Sequence, residues 1–210
     1  MQKKPIVAWV LAVLITVSAL IMPGTAVYAY PTSYGLSVPV IMQPKTQWCW
    51  AASGTSVVRY VKNVNISVST FAYAVMGNYN NVPQSLVDVK GGLTTYGVSS
   101  STHTNGATEG SNHTINLTTP MPFGTIQTNI YQSRPIIMNW IYWLYNSSLG
   151  EITIDHAHIM VITGYTSNGS SQTVEYMDPG HSTMQIMSYS TFLQSGQRYW
   201  GASLRNIYAS

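Results

Sequence analysis

The chain has 210 residues, with nine Lys or Arg, six Asp or Glu and a formal net charge of +3. Two of the bases, Lys3 and Lys4, belong to the N-terminal segment, and without them seven bases face six acids, a formal charge of +1. These seven bases are scattered, with no run or stripe that could follow a phosphate backbone. The composition therefore argues against nucleic acid as a partner and predicts a surface covered mainly by uncharged polar groups.

The first 29 residues have the pattern of a secretory signal peptide. Two lysines precede an apolar run at residues 6–22, and a Pro-Gly pair interrupts this run. Small or modest side chains then place a cleavage site after Ala29. The alternative is an uncleaved membrane anchor, because the run is near the lower length limit for a spanning helix. We therefore predict a signal peptide at residues 1–29 and a secreted, monomeric domain at residues 30–210, with no stable membrane association after cleavage.

The N-terminal half predicts one extended segment and three helices. Residues 30–42 contain alternating apolar side chains, which is typical of an extended segment. From Cys49 onward, apolar or small residues recur at the spacing of one helix face, so that Cys49 begins an amphipathic helix. These residues are Trp50, Gly54, Val57, Val58 and Val61. Shorter helices are predicted at residues 70–76 and 83–95, and the Ser-, Thr- and Asn-rich residues 99–119 predict a long loop with at most a short strand.

The C-terminal half predicts antiparallel strands. Apolar, aromatic and β-branched residues dominate several short segments that turn residues separate. These segments are residues 136–145, 152–155, 158–163, 174–177, 184–189 and 200–208. Helices first and antiparallel strands second predict an α+β fold, a single domain with a helical N-terminal lobe that carries the Cys49 helix and an antiparallel β C-terminal lobe.

Cys49 is the single cysteine of the chain. A secreted protein that relied on disulfides would carry several cysteines in even number, so disulfides do not hold this fold. A lone thiol is either a small buried hydrophobe or a reactive group. Its place at a helix start favours the reactive group, because unpaired backbone N–H groups and a nearby imidazolium both stabilise a thiolate.

A glutamine stands six residues before Cys49 and a tryptophan directly after it, namely Gln43 and Trp50. This arrangement resembles the nucleophile segment of papain-like cysteine peptidases. The resemblance implies that Cys49 is the nucleophile and that the Gln43 amide and the Cys49 backbone N–H form the oxyanion hole, with Gln47 as the alternative to Gln43. Trp48 and Trp50 are expected to line the substrate cleft, and simple wall packing is the alternative role for both.

The string Gln-Trp-Cys-Trp-Ala-Ala at residues 47–52 is similar to a branch of small bacterial papain-like peptidases that includes secreted effectors of plant pathogens. Bacteriocin-processing peptidases resemble it more distantly. The chain departs from papain itself, which has Cys-Gly-Ser where Thr46, Gln47 and Trp48 stand here. The resemblance therefore implies the fold and the chemistry, and it does not identify a substrate.

The same resemblance selects one of five histidines as the general base. His158 lies six residues before the Gly164-Tyr165 pair, which is the spacing of the histidine strand in the papain-like group. His156 lies on the same face of the predicted strand and is the alternative. The other three fall in polar loops or turns and are expected at the surface; they are His103, His113 and His181.

Asp178 is predicted to be the third member of the site. Asn168-Gly169 is a strong hairpin signal, and pairing about this turn places His158 opposite residue 179, next to Asp178. An acid beside the imidazole would fix its tautomer and stabilise its charged form. The alternative role for the Asp178 carboxylate is to cap the Asp-Pro-Gly turn that it begins.

Together, these residues predict a secreted cysteine endopeptidase that hydrolyses the peptide bonds of a protein or peptide substrate. Two alternatives remain: a cell-wall peptide amidase or endopeptidase, and a non-catalytic binding or toxin-like module on the same scaffold. The single cysteine and the neighbouring histidines fall short of a closed zinc set, and no phosphate-binding glycine loop occurs. No metal and no cofactor are therefore expected.

Overall fold

The computed structural model describes residues 29–210. The predicted signal peptide lies outside the described residues except for its last one, Ala29, and it stays a prediction together with the domain boundary that follows it. Between residues 29 and 210, no helix has both the length and the apolar character that a membrane crossing requires.

The described part of the chain contains five α-helices and ten β-strands. The helices are α1 (Cys49–Lys62), α2 (Val68–Met76), α3 (Leu86–Thr95), α4 (Phe123–Tyr131) and α5 (Tyr189–Leu193). The strands are β1 (Ser33–Gly35), β2 (Val98–Thr104), β3 (Ala107–Glu109), β4 (Ile115–Leu117), β5 (Ile136–Asn146), β6 (Glu151–Asn168), β7 (Ser171–Met177), β8 (Gln185–Ser188), β9 (Gln194–Ser195) and β10 (Arg198–Ala209). Three helices precede an antiparallel sheet, which confirms the predicted α+β class.

Helices α1 to α3 form the N-terminal half and pack closely on one another. Ser67 caps α2 by accepting a hydrogen bond from the Thr70 backbone N–H, and Ser85 forms a capping box with Asp88 at the start of α3. Gly54 of α1 faces the ring of Phe71 in α2, and a Cβ at this glycine would lie 2.3 Å from the ring. Helices α1 and α2 can therefore approach this closely only because residue 54 is glycine.

One large antiparallel sheet forms the C-terminal half, with the strand order β2-β10-β5-β6-β7-β8. Strand β1 pairs with β6 at Gly164 to Thr166, beyond the end of β5. Part of the extended segment predicted at residues 30–42 therefore belongs to the sheet. Helix α1 packs against β6, and the Ser53 hydroxyl donates a hydrogen bond to the Ile159 carbonyl at 3.0 Å. This contact fixes the helix that begins with Cys49 against the strand that carries His158.

The main hydrophobic core lies between the helices and the sheet. Its fully buried aromatic side chains come from both halves of the chain. They are Trp48, Trp50, Phe71, Phe192 and Trp200. Because the helix that begins with Cys49 and the strand that carries His158 both pack on this core, packing sets the relative position of the two residues.

Three segments differ from the sequence prediction. Residues 99–119, predicted to be a loop, contain most of β2 and all of β3 and β4, and their polar composition is explained by exposure of most of these side chains. The segments predicted at 152–155 and 158–163 form the single strand β6. Helix α4 was not predicted, although buried Phe123, Ile126 and Ile130 follow one another at helical spacing after Pro122.

The β6–β7 hairpin turns slightly later than predicted. Asn168 pairs with Ser171, so Gly169 and Ser170 form the turn, with Gly169 at a φ of 57°. An irregularity between Ile162 and Gly164 then shifts the pairing by one residue. The paired part of β7 ends at Met177. Asp178 therefore reaches His158 from the turn that follows β7, and not by strand pairing as predicted.

Candidate active site

Cys49 is the first residue of α1, as the helical pattern predicted. Trp48 precedes it as the N-cap and makes no side-chain cap hydrogen bond. The backbone N–H of Cys49 has no hydrogen-bond acceptor among residues 29–210, as is usual for the first turn of a helix. The thiol therefore lies beside unpaired N–H groups and the positive end of the α1 dipole.

His158 contacts both Cys49 and Asp178. Its Nε2 atom lies 2.6 Å from Oδ1 of Asp178, and the imidazole also lies close enough to the Cys49 side chain for that side chain to affect its protonation. Because Nε2 is occupied by the carboxylate, Nδ1 is the ring nitrogen that remains for the thiol. The three residues therefore form a continuous thiol–imidazole–carboxylate series.

The surroundings of His158 favour its protonated form. Burial alone would lower the pKa of His158, because the side chain is only 22% exposed. The hydrogen bond and the negative charge of Asp178, together with the neighbouring Cys49 side chain, outweigh burial and raise the pKa from 6.5 to about 9. An imidazolium is therefore the stable state of His158 at neutral pH.

Asp178 serves the turn and the imidazole at the same time. Asp178 is 8% exposed, and its Oδ1 also accepts a hydrogen bond from the Gly180 backbone N–H at 2.8 Å. The two roles considered for this carboxylate are thus compatible. Burial would raise the pKa of Asp178, but the hydrogen bond and charge of His158 outweigh it and lower this pKa. His181 is mostly exposed, with Nε2 3.7 Å from Oδ2 of Asp178.

Gln43 lies between the nucleophile segment and the Asp178 turn. Its backbone N–H donates to the Pro179 carbonyl at 2.9 Å. Its side-chain amide donates to the carbonyls of Lys45 at 3.0 Å and Thr46 at 2.8 Å. The amide of Gln43 therefore holds its own loop, and it must share or release one of these hydrogen bonds to bind an oxyanion. The alternative residue, Gln47, is exposed and lines a cavity beside Cys49.

The two tryptophans beside Cys49 have different surroundings. Trp50 lines the cavity, and its indole N–H donates to the Val82 carbonyl at 3.1 Å. Trp48 is 1% exposed, and its indole N–H donates to the Asn80 carbonyl at 2.8 Å. Trp48 is thus packed in the wall, which is the alternative role considered for it, and a contact with substrate stays a prediction. Trp50 is also fully buried, so its contact with substrate likewise stays a prediction.

The cavity beside Cys49 has a volume of about 470 Å³ and was not foreseen from the sequence. Its wall includes Asp155, His156 and Ala157 from β6, and Pro83 and Gln84 from the segment before α3. His156 points into this region, with Nδ1 2.7 Å from Oδ2 of Asp155. Asp155, and not Asp178, is the acid that His156 contacts, which separates His156 from the thiol–imidazole–carboxylate series.

No group of three or more His, Cys, Asp or Glu side chains that could hold a metal ion is present within residues 29–210. Two further histidines contact other polar groups away from Cys49. His103 Nε2 lies 3.1 Å from Oδ1 of Asn105, and His113 Nδ1 lies 3.0 Å from Oε1 of Glu109. Neither histidine contacts Cys49.

Comparison with known proteins gives a match to a family and likenesses to solved structures. A family model described as "Peptidase_C39 like family" matches residues 35–205. No curated protein matches the chain. Among solved structures, xylellain, a cysteine protease from Xylella fastidiosa, is similar with 10% sequence identity and a TM-score of 0.45. The likeness covers 84% of this chain and 86% of that chain.

Proposed function

Because the chain belongs to the Peptidase_C39 like family and is a cysteine-type peptidase, we propose that it acts as a papain-like enzyme and hydrolyses peptide bonds through Cys49, His158 and Asp178. Its substrate is a protein or peptide. The observation that carries the proposal is that the His158 imidazole lies beside the Cys49 thiol and is hydrogen-bonded to Asp178. A buried thiol with a purely structural role has no need of this arrangement.

In the proposed mechanism, the thiol proton of Cys49 rests on His158, and the thiolate attacks the scissile carbonyl carbon. The His158 imidazolium then donates its proton to the leaving amine, and a thioester with Cys49 remains. Water, deprotonated by the neutral His158, attacks the thioester and releases the carboxylic acid and the thiol. Asp178 keeps Nε2 occupied and stabilises the imidazolium, so that Nδ1 exchanges the proton.

The oxyanion of each tetrahedral intermediate requires donors aimed at the carbonyl oxygen. The free Cys49 backbone N–H supports its role as one donor. We infer that the Gln43 amide is the second, because the Pro179 contact holds this residue beside the acid turn. Removal of one such donor lowers rates about a hundred- to a thousandfold in comparable sites.

The setting of the reaction is also a proposal. The N-terminal sequence pattern supports export of the domain, which we infer to act as an extracellular monomer with no nucleic-acid partner. Export to an oxidising medium exposes a reactive thiol to oxidation, and activity should then increase with a mild reductant.

The test is the alkylation rate of Cys49 by iodoacetamide between about pH 5 and pH 9. At about pH 6 we expect the folded protein to react at least about tenfold faster than free cysteine, because only the thiolate is a nucleophile. In His158→Ala the rate should fall to that of free cysteine.

The matched control is His156→Ala, which removes the neighbouring histidine on the same strand and should keep the fast reaction. If Cys49 reacts no faster than free cysteine and His158→Ala changes nothing, the thiol is structural and the proposed function is wrong. A larger loss in His156→Ala than in His158→Ala would reassign the base.

A further inference from the structure

The cavity beside Cys49 is placed to receive a side chain of the substrate. Its wall includes Cys49 itself together with Ala157 and Ile159, the residues on either side of His158. On the proposed function, the scissile carbonyl lies between Cys49 and His158. A substrate side chain next to that carbonyl then enters this cavity, and the groups that line it decide which side chain fits.

A β-bulge brings an acid into the cavity wall. Tyr142 of β5 pairs with His156, but the next residue, Trp143, pairs with Ile154, so Asp155 has no partner across the ladder. In a regular strand, neighbouring side chains point to opposite faces. A bulge re-aims one of them, and here Asp155, His156 and Ala157 all line the same cavity.

No Lys or Arg neutralises the charge of Asp155 within the described residues. Its Oδ2 contacts Nδ1 of His156, while Oδ1 accepts no hydrogen bond among residues 29–210. Every ion pair in the described part of the chain involves a histidine, so no Lys or Arg lies within 4.0 Å of a carboxylate there. Lys45, from the nucleophile segment, donates to the Tyr79 carbonyl and lies over the Trp48 ring, away from the cavity wall.

The remaining groups of the cavity suit a long, positively charged side chain. Pro83, Leu86 and Ile159 provide apolar wall for the methylene groups of Lys or Arg. The N-terminus of α3 also reaches the cavity through Ser85, but Asp88 accepts hydrogen bonds from the Ser85 N–H and hydroxyl and offsets the positive helix end. Asp155 is therefore the one carboxylate among the residues that line this cavity, and these residues include no Lys or Arg.

Building on the proposed function, we propose that the cavity is a side-chain pocket that selects a basic residue of the substrate, with Asp155 as the residue that determines this specificity. The Asp155 side chain is 48% exposed, so a cation bound to it stays partly hydrated. The preference is accordingly moderate, about tenfold in kcat/KM, between the effects of an exposed ion pair and of a buried charged hydrogen bond.

The experiment uses pairs of quenched fluorescent peptides, and each pair tests one position before or after the cleaved bond. Each position carries Arg in one peptide and citrulline, its uncharged isostere, in the other. The ratio of kcat/KM for the two peptides removes effects of shape and of overall activity. At one position we expect a ratio of about ten in the wild-type enzyme, and a ratio near one in Asp155→Asn.

The matched control is Glu151→Gln, which removes the same charge from the same strand but outside the cavity, and it should keep the wild-type ratio. Thermal melting of both variants checks that they fold. If wild type cleaves the peptides with no preference for Arg, or if Asp155→Asn keeps the preference, the specificity proposal is wrong while the proposed function stands. If no peptide is cleaved and Cys49 alkylates like free cysteine, the proposed function fails and this proposal with it.

Discussion

The two sides of the site are held in place by different means. His158 lies on β6, and Asp178 follows the end of β7, so both positions depend on the hydrogen-bond ladder of the sheet. The nucleophile side consists of residues 43–48, which form no helix or strand and lead into α1. This segment depends on side-chain hydrogen bonds to residues 79–81, which lie between α2 and α3.

This difference determines how each side responds to mutation. A ladder distributes its hydrogen bonds over many backbone groups, so one substitution on the histidine side changes charge or chemistry with little movement. A loop held by a few side-chain contacts loses a large share of its restraint with each contact. Variants of the histidine side should therefore alter pH dependence, and variants of the nucleophile side should alter the geometry of the oxyanion hole and the thiol.

The largest effect is expected on the nucleophile side, from Gln43→Ala. Loss of the proposed oxyanion donor should lower kcat about a hundred- to a thousandfold. Alkylation of Cys49 by iodoacetamide requires no oxyanion hole, so its rate should stay within about twofold of wild type if the loop keeps its position. Steady-state kinetics and alkylation of the same preparation measure the two effects.

The comparison for this prediction is Gln47→Ala. The loss of kcat in Gln47→Ala should be far smaller than in Gln43→Ala, since Gln47 lines the cavity and its side chain makes no hydrogen bond within the described residues. A larger loss in Gln47→Ala than in Gln43→Ala would assign the oxyanion role to Gln47. Equal losses of kcat and of alkylation rate in Gln43→Ala would mean that Gln43 only supports the loop.

On the histidine side, Asp178→Asn should shift the pH dependence of activity. The raised pKa of His158, about 9, keeps the imidazolium present at neutral pH, and activity should decline as pH rises through about 9. Without the Asp178 charge this decline should begin at lower pH, with a loss of about tenfold near pH 8.5 and less near pH 6. The pH profile of kcat/KM measures the shift.

Thermal stability should depend on pH in the same direction as activity, with a decrease as pH rises. A histidine whose pKa is raised on folding stabilises the fold fully below its unfolded pKa near 6.5, and this stabilisation is lost as pH rises through about 9. The melting temperature of wild type should thus fall more between about pH 7 and pH 10 than that of Asp178→Asn. Glu109→Gln, at the exposed pair with His113, is the matched control and should change neither profile. If activity declines at the same basic pH in Asp178→Asn as in wild type, the proposed role of this carboxylate is wrong.

The sequence predicts the histidine side better than the nucleophile side. Strand periodicity and the Asn168-Gly169 signal brought His158 and Asp178 together, although the turn lies at Gly169 and Ser170 and the register differs by one or two residues. Such errors are tolerable because a side chain of aspartate length, at the start of a turn, spans the difference. Cys49 was placed at a helix start for a similar reason, since helical spacing is a local property.

Contacts between distant loops could not be predicted in this way. Asn81 lies more than 30 residues from Thr46 and Gln47, and neither segment has a periodic pattern. The bulge at Asp155 left no mark in the sequence either, because it depends on how β5 and β6 pair. Strand β2 was missed because its Ser and Thr residues satisfy a turn pattern as well as a strand pattern.

The smallest effect in this comparison is expected from Asn81→Ala, which removes a contact that no motif indicates. The Oδ1 atom of Asn81 accepts from the Gln47 backbone N–H, and its Nδ2 donates to the Thr46 hydroxyl, each at 2.9 Å. The side chain thus holds the nucleophile loop at two consecutive residues directly before Trp48 and Cys49. Loss of both hydrogen bonds should destabilise the fold by about 1–3 kcal/mol and lower kcat about three- to tenfold.

Asn80→Ala is the matched control, because the neighbouring Asn80 contacts Trp48 through its backbone carbonyl and its side chain makes no hydrogen bond among the described residues. It should leave kcat near the wild-type value. In Asn81→Ala, kcat should fall while the basic limb of the pH profile stays near pH 9, since His158 and Asp178 are untouched. A shifted limb would show that the loop and the sheet are coupled, and the distinction between the two sides would then be wrong.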